Sequence, residues 1–186
     1  MSFKKTFLST LLFSMLLQAG SIGININSED VEVQGSANLN STLGMTGSTT
    51  YLFDAQYLHT DHANMTSVGI SGENTLEAAQ GLTLGFGIKA AFAEDFFALP
   101  FLAKATFILP FDSDIPTTSL KAYFAYAPSV LSFIDGESYS EFRTEADMEV
   151  ISNIHIFAGY RTIDTNYDNR DYNFNDSFYG GLKLSF

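Results

Sequence analysis

From residue 81 to residue 92 the chain alternates with a period of two. Leu82, Leu84, Phe86, Ile88, Ala90 and Phe92 share one face of an extended segment, and Gly81, Thr83, Gly85, Gly87, Lys89 and Ala91 share the other. About twelve residues exceeds the five or six of an ordinary globular strand and suits the roughly 9–11 that a tilted strand needs to cross a bilayer. The pattern recurs. Phe101, Ala103, Ala105, Phe107 and Leu109 alternate with Lys104 and Thr106, and Leu120, Ala122, Phe124 and Tyr126 with Lys121, Tyr123 and Ala125. Phe142, Thr144, Ala146, Met148 and Val150 alternate with Glu141, Arg143, Glu145, Asp147 and Glu149. Ile154, Ile156, Ala158 and Tyr160 alternate with His155, Gly159 and Arg161, and Phe178, Gly180, Leu182, Leu184 and Phe186 with Tyr179, Gly181, Lys183 and Ser185. Tyr51, Phe53, Ala55 and Tyr57 form an earlier strand, and weaker ones run over Ile22–Ile26, Val31–Leu39 and Met65–Glu73.

These segments predict an all-β, antiparallel up-and-down barrel of ten strands, or of eight if residues 22–39 form one long or plugging segment. Asp61–Asn64, Pro128–Glu137 and Asp164–Asp176 read as loops at one end. Ser152-Asn153, Asn40–Gly47, Asn74–Gln80 and Pro110–Pro116 read as connections at the other. An even strand number keeps both termini on one side, as in bacterial outer-membrane barrels.

Charge placement selects among β architectures. Lys89, Lys104, Lys121, Arg143, Arg161 and Lys183 all fall on the polar face of their strands, with Arg170 left to a loop. Glu32, Asp54, Glu73, Glu141, Glu145, Asp147 and Glu149 share that face. A soluble sandwich would turn such a face to water, whereas a closed transmembrane barrel turns it to the lumen, where opposite charges pair. The length of the strands and the Phe-rich opposite face favour the barrel. Gly35, Gly85, Gly87 and Gly159 on the inner face leave room for long charged neighbours. Tyr51, Tyr57, Phe92, Phe101, Tyr126 and Tyr160, near strand ends, are candidates for aromatic girdles.

The N-terminus has a separate logic. Lys4 and Lys5 precede an apolar run from Phe7 to Leu17, followed by small residues at Ala19, Gly20 and Ser21. This is the order of a secretory signal peptide, and the run is shorter than a spanning helix requires. Residues 1–20 are therefore read as a signal peptide cleaved after Ala19 or Ser21, and 21–186 as the barrel. Loss of Lys4 and Lys5 leaves seven basic residues against twenty-one acidic ones, a formal charge of −14. That acidity makes nucleic acid an unsuitable partner. The absence of Cys excludes disulfides, Cys–metal sites and lipid attachment through Cys.

The chain ends on Phe186, with Leu184 and Leu182 before it at steps of two. This resembles the C-terminal signature by which barrels are handed to the outer-membrane assembly machinery. Tyr126-Ala127-Pro128, Gly159-Tyr160-Arg161 and the closing Phe178-Tyr179-Gly180-Gly181-Leu182-Lys183-Leu184-Ser185-Phe186 are similar to segments of the YfaZ family of predicted outer-membrane proteins. The similarity is best from about Gly81 to the end. It implies an outer-membrane location and lipid as surroundings, and it transfers no catalytic residue.

Candidate chemistry is sparse. His59 and His62 flank Asp61, at a spacing that fits no strong metal motif. His155 is placed beside the Glu141–Glu149 row, and an acyl-transfer or lipid-cleaving enzyme would use it as a base with Ser140 or Ser177 as nucleophile. The row Glu141, Arg143, Glu145, Asp147, Glu149, facing Lys89, Lys104, Lys121, Arg161 and Lys183, reads as a salt-bridged lumen filling or the lining of a narrow pore. The expectation is a non-enzymatic barrel with a structural, envelope-maintenance or loop-mediated role, and no cofactor or metal. A charge-lined pore is the alternative, and a lipid-modifying enzyme ranks below both.

Overall fold

The computed structural model describes residues 20–61, 63–94, 96–111, 115–167 and 170–186, without the side chains of 170–172. Residues 1–19 of the segment read as a signal peptide (1–20), and His62, lie outside the described residues.

Ten strands close into an antiparallel barrel: β1 (Gly20–Ile26), β2 (Val31–Asn38), β3 (Thr50–His59), β4 (Asn64–Thr75), β5 (Leu82–Ala93), β7 (Phe101–Ile108), β8 (Thr118–Ala127), β10 (Gly136–Ile151), β11 (Ile154–Tyr167) and β12 (Arg170–Ser185). Each pairs with its neighbours in the barrel, and the β12–β1 pairing brings the two ends of the sheet together. Gly20 and Phe186 exchange two backbone hydrogen bonds at that seam, 2.8 and 2.9 Å long. Residues 20–38 thus supply two wall strands and no plug, which decides for ten strands over eight.

We call the end carrying Gly20 and Phe186 the terminal end and the opposite one the far end. A short helix, α1 (Asn40–Leu43), sits in the β2–β3 connection at the terminal end and stops at Gly44, whose φ of 63° is the left-handed conformation that glycine adopts without strain. The β10–β11 turn is the two residues Ser152 and Asn153, with Asn153 at φ 68°.

Two short strands extend the far end. β6 (Phe96–Ala98) pairs with the last residues of β5, and β9 (Ser132–Ile134) pairs with β6. Leu99-Pro100 interrupts what would otherwise be one strand from Phe96 to Ile108. Pro128 and a 3-10 turn at Ser129–Leu131 interrupt the path from β8 to β9 in the same way. A proline lacks the donor a ladder needs, so it sits where pairing breaks.

Two expected loops are therefore largely strand. Pro128–Glu137 contains the 3-10 turn, β9 and the start of β10. In the span Asp164–Asp176, pairing continues up to Tyr167↔Arg170, so Arg170 opens β12 instead of lying in a loop. Asp164 pairs with Asn173 and Ile163 with Asn175, so Phe174 is one extra residue in β12, a β-bulge.

The wall is uneven. β10 and β12 have 16 residues each, whereas β1 has seven and β2 eight. At about 3.3 Å per residue the longest strands reach roughly 50 Å, so β10–β12 rise well above the β1–β2 turn.

The outside is apolar. Phe86, Phe101 and Phe178 are 68%, 62% and 78% exposed, and Ile22, Ile24, Val33, Ile70, Ile88, Leu120, Phe124, Ile156, Leu182 and Leu184 accompany them. Near the far end Phe97 stacks between Phe92 and Phe133, with ring centroids 4.8 and 5.4 Å apart. Among the described residues no helix is long and apolar enough to cross a membrane.

Candidate functional site

Position along the barrel axis decides what each inward side chain meets, and the interior has three layers. At the far end it is apolar. Leu58, Met65, Phe96, Tyr139, Ile163 and Phe174 are buried together with Ala91, Ala98, Ala125 and Ala127, and Leu131 and Tyr167 pack against them. Phe96 stands 5.8 Å from Tyr139 and 6.1 Å from Tyr167, ring centre to ring centre. This is a stopper of hydrocarbon and aromatic rings inside the barrel mouth.

Below it lies a belt of buried ions. Glu141 accepts hydrogen bonds from Lys89 Nζ (2.5 Å), Arg143 Nε (2.5 Å) and the Tyr139 hydroxyl (2.7 Å). Arg143 then donates from Nη1 to both oxygens of Glu32, at 2.8 and 2.9 Å. Glu32 also accepts from Arg161 Nη1 (2.8 Å) and Asn25 Nδ2 (2.7 Å). Arg161 reaches Asn175 Oδ1 at 2.7 Å and Asp30 Oδ2 at 3.4 Å. Three cations (Lys89, Arg143, Arg161) thus meet three carboxylates (Glu141, Glu32, Asp30) across the lumen. Glu32, Glu141 and Arg161 are at most 1% exposed. Buried charges are tolerated when paired and hydrogen-bonded in this way. Lys89 also lies 5.5 Å from the Tyr123 ring centre and Arg161 5.3 Å from that of Tyr179.

Asp30 comes from the β1–β2 turn, outside the strands. Burial acts to raise its pKa. Hydrogen bonds from Asn175, Asn27 and Ser177, with the charge of Arg161, outweigh this and hold the carboxyl below its ordinary value.

The third layer, toward the terminal end, is hollow. A cavity of about 280 Å³ lies beneath the belt, with Gln56, Tyr123 and Arg143 in its lining above and Ser21, Thr106 and Lys183 toward the terminal end. Its ion pairs form two clusters. Lys104 binds Asp54 at 2.5 Å and lies 3.4 Å from Glu73. Lys121 lies 3.2 Å from Glu145 and 3.0 Å from Asp147, and Lys183 also pairs with Asp147. His155 Nδ1 stands 2.8 Å from Asp147 Oδ1, and Ser185 Oγ 3.3 Å from His155 Nε2.

Glycines make the inner surface possible. A Cβ at Gly159 would lie 2.7 Å from the Tyr179 ring and 2.5 Å from the Thr144 carbonyl, and one at Gly181 would lie 2.6 Å from the Phe157 ring. Each glycine yields the space that a neighbouring aromatic ring occupies.

Lys89, Glu141, Arg143 and Arg161 therefore gather in the belt, and Lys104, Lys121, Glu145, Asp147, Lys183 and His155 below it. Glu149 stands apart, at the β10–β11 turn, where its Oε1 accepts the Asn153 N–H at 2.8 Å. Ser177 binds Asp30 and Asn175, not His155, and Ser140 is on the face of β10 opposite to Tyr139 and Glu141. Neither of the two serines proposed from sequence is beside the histidine. Phe186, Leu184 and Leu182 lie on the outer wall of the seam strand. His59, at the end of β3, has Nδ1 2.6 Å from Asn64 Oδ1.

Sequence reasoning missed Asp30, Tyr139 and Asn175 as belt members. Asp30 sits in a turn, Tyr139 breaks a polar row, and Asn175 fell in a segment read as loop. The Asn-rich run before Asp30 and the Tyr-Ser-Glu order at 139–141 were the signals available.

Compared with known proteins, the chain matches the family described as YfaZ precursor over residues 109–186, from the end of β7 through β12. No curated protein matches it. Among solved structures, it is similar to a chain from work on the in-meso crystallization of membrane proteins. The identity there is 8%, the TM-score 0.45, and the match covers 91% of this chain and 83% of that one. A bacterial polysaccharide outer membrane secretin is similar at 11% identity and TM-score 0.45, covering 84% of this chain and 55% of that one.

Proposed function

We propose that this barrel, similar over residues 109–186 to the YfaZ family, is an integral protein of a bacterial outer membrane. Its role there is structural, envelope-maintaining or carried by its far-end hairpins, and it conducts no solute. The outer wall supports the membrane reading: Phe86, Phe101 and Phe178 are mostly exposed, and lipid is the solvent that accepts such a surface on a closed barrel. In this orientation the terminal end faces the periplasm and the far end the exterior, because bacterial barrels keep both chain ends inside. The outward aromatic row of Phe92, Phe97 and Phe133 then lies at the outer interface. Leu182, Leu184 and Phe186 are the surface offered to the assembly machinery before the seam closes.

The sealed interior carries the functional half of the reading. A continuous path for solute would have to pass Phe96, Tyr139 and Phe174, then the belt from Lys89 to Asp30. Both layers are packed, and the space below them ends at the belt. A charge-lined conduit is disfavoured on this geometry.

Planar-bilayer recording of the refolded full chain tests the reading. The expected result is an unbroken baseline in molar salt, from protein that shows heat-modifiable gel mobility. Reproducible conductance steps would overturn the sealed barrel, and recovery of the native protein from the soluble periplasm would overturn the membrane location.

A further inference from the structure

Asp147, His155 and Ser185 stand on three adjacent strands, β10, β11 and β12, on the lumen face near the terminal end. The spacing is that of an acid, a base and a nucleophile in sequence: 2.8 Å from Asp147 Oδ1 to His155 Nδ1, then 3.3 Å from His155 Nε2 to Ser185 Oγ. One neutral tautomer serves both contacts. A proton on Nδ1 is donated to Asp147, and the Nε2 lone pair accepts the Ser185 hydroxyl. Strand register assembles the group, because Ser185 and His155 are 30 residues apart.

We propose that these three side chains form a hydrolytic site for small polar carboxylic esters reaching the barrel from its terminal end. The cavity next to this group bounds the size of its substrate. Asp147, His155 and Ser185 are not in its lining, but Lys183, which pairs with Asp147, and Ser21, the register partner of Ser185 on β1, are. Its volume of about 280 Å³ suits a compact molecule and not a long acyl chain, and its Gln, Ser, Lys and carboxylate side chains stand among Leu52, Leu102, Ala105, Ala122 and Tyr123.

In the first half-reaction Ser185 Oγ adds to the ester carbonyl carbon as its proton passes to His155 Nε2. The tetrahedral adduct then collapses. The C–O bond to the leaving alcohol breaks, and the alcohol takes the proton from Nε2, leaving acyl-Ser185. Water repeats the sequence in the second half-reaction: Nε2 takes its proton as hydroxide adds to the acyl carbon, the C–Oγ bond then breaks as Ser185 Oγ takes that proton back from Nε2, and carboxylic acid and free Ser185 are released. Asp147 orients the ring and balances the imidazolium. Lys121 and Lys183 both hydrogen-bond Asp147 Oδ2 and so fix the carboxylate that faces the ring.

The test uses the refolded full chain in micelles, with diisopropyl fluorophosphate as the label and p-nitrophenyl acetate as the substrate. The expected result is one phosphoryl adduct, on Ser185 by peptide mass mapping, that is absent from Ser185→Ala. His155→Gln and Asp147→Asn should slow both labelling and ester turnover by at least about a hundredfold, with heat-modifiable mobility unchanged. Unlabelled Ser185 in the folded wild type would overturn the proposal. So would a folded His155→Gln protein that labels at the wild-type rate. The wild-type labelling decides the matter even if a variant fails to fold, and it does not depend on the absence of conductance.

Discussion

The two halves of the lumen use the same residue types to different ends. In the belt, Lys89, Arg143 and Arg161 are almost wholly removed from solvent, and each charge has several partners. In the terminal half, Lys104, Lys121 and Lys183 pair with carboxylates around a cavity, and their side chains remain 13–30% exposed. An ion pair that water reaches loses much of its attraction to screening, whereas an ion stripped of water depends on its partner. The period-two pattern that puts a lysine inside a barrel thus leaves its energetic role open. Height along the axis, above or below the cavity roof, fixes that role.

Glu32→Ala should break the belt with the largest effect. It leaves Arg143 and Arg161 facing each other without the carboxylate they share, at sites with almost no access to water. Removing one partner of a buried pair costs about 3–5 kcal/mol. We expect a loss of that size in urea unfolding of vesicle-reconstituted protein. A loss below about 1 kcal/mol, the range of solvent-exposed pairs, would make the belt no different from the terminal half.

Tyr139→Phe tests the boundary between stopper and belt. The ring against Phe96 stays, and the hydroxyl's 2.7 Å bond to Glu141 is lost together with its weaker 3.8 Å contact to Met65 Sδ. Hydrogen bonds to charged groups contribute about 1.5–3 kcal/mol, so the expected loss in the same unfolding measurement lies there. A neutral result would mean that Lys89 and Arg143 satisfy Glu141 by themselves.

The sequence reveals the barrel because one rule, apolar out and polar in, holds along the lower wall. Lys104, Lys121 and Lys183 obey it, and so their facing was legible. Beyond the belt the rule reverses. Ile163, Thr165 and Phe174 point inward to the stopper, while polar Asn173 is exposed. Read with the lower rule, that stretch has no apolar outer face and resembles a loop. The bulge at Phe174 also shifts the phase of β12 by one residue, which no pattern of period two can follow. Long-range partners were hidden for a different reason. Asp30 meets Arg161 and Asn175 across 131 and 145 residues, and Ser185 meets His155 only through register. Facing is a local property of a strand, whereas partnership requires the closed sheet.

The smallest expected effect sharpens the comparison most, because it isolates hydration from chemistry. Lys104→Met removes a lysine that contacts two carboxylates, as many as Lys121 does. By contact count alone it should resemble a belt substitution. Its partners Asp54 and Glu73 have side chains 23% and 20% exposed beside the cavity, so water can solvate them once the ammonium is gone. The methionine keeps most of the stem that packs along the wall. We therefore expect a change within about 1 kcal/mol that shrinks further in high salt, measured beside Glu32→Ala in the same vesicles. A Lys104→Met loss equal to that of Glu32→Ala and insensitive to salt would mean that the cavity is dry, and the division of the lumen into two energetic halves would fail.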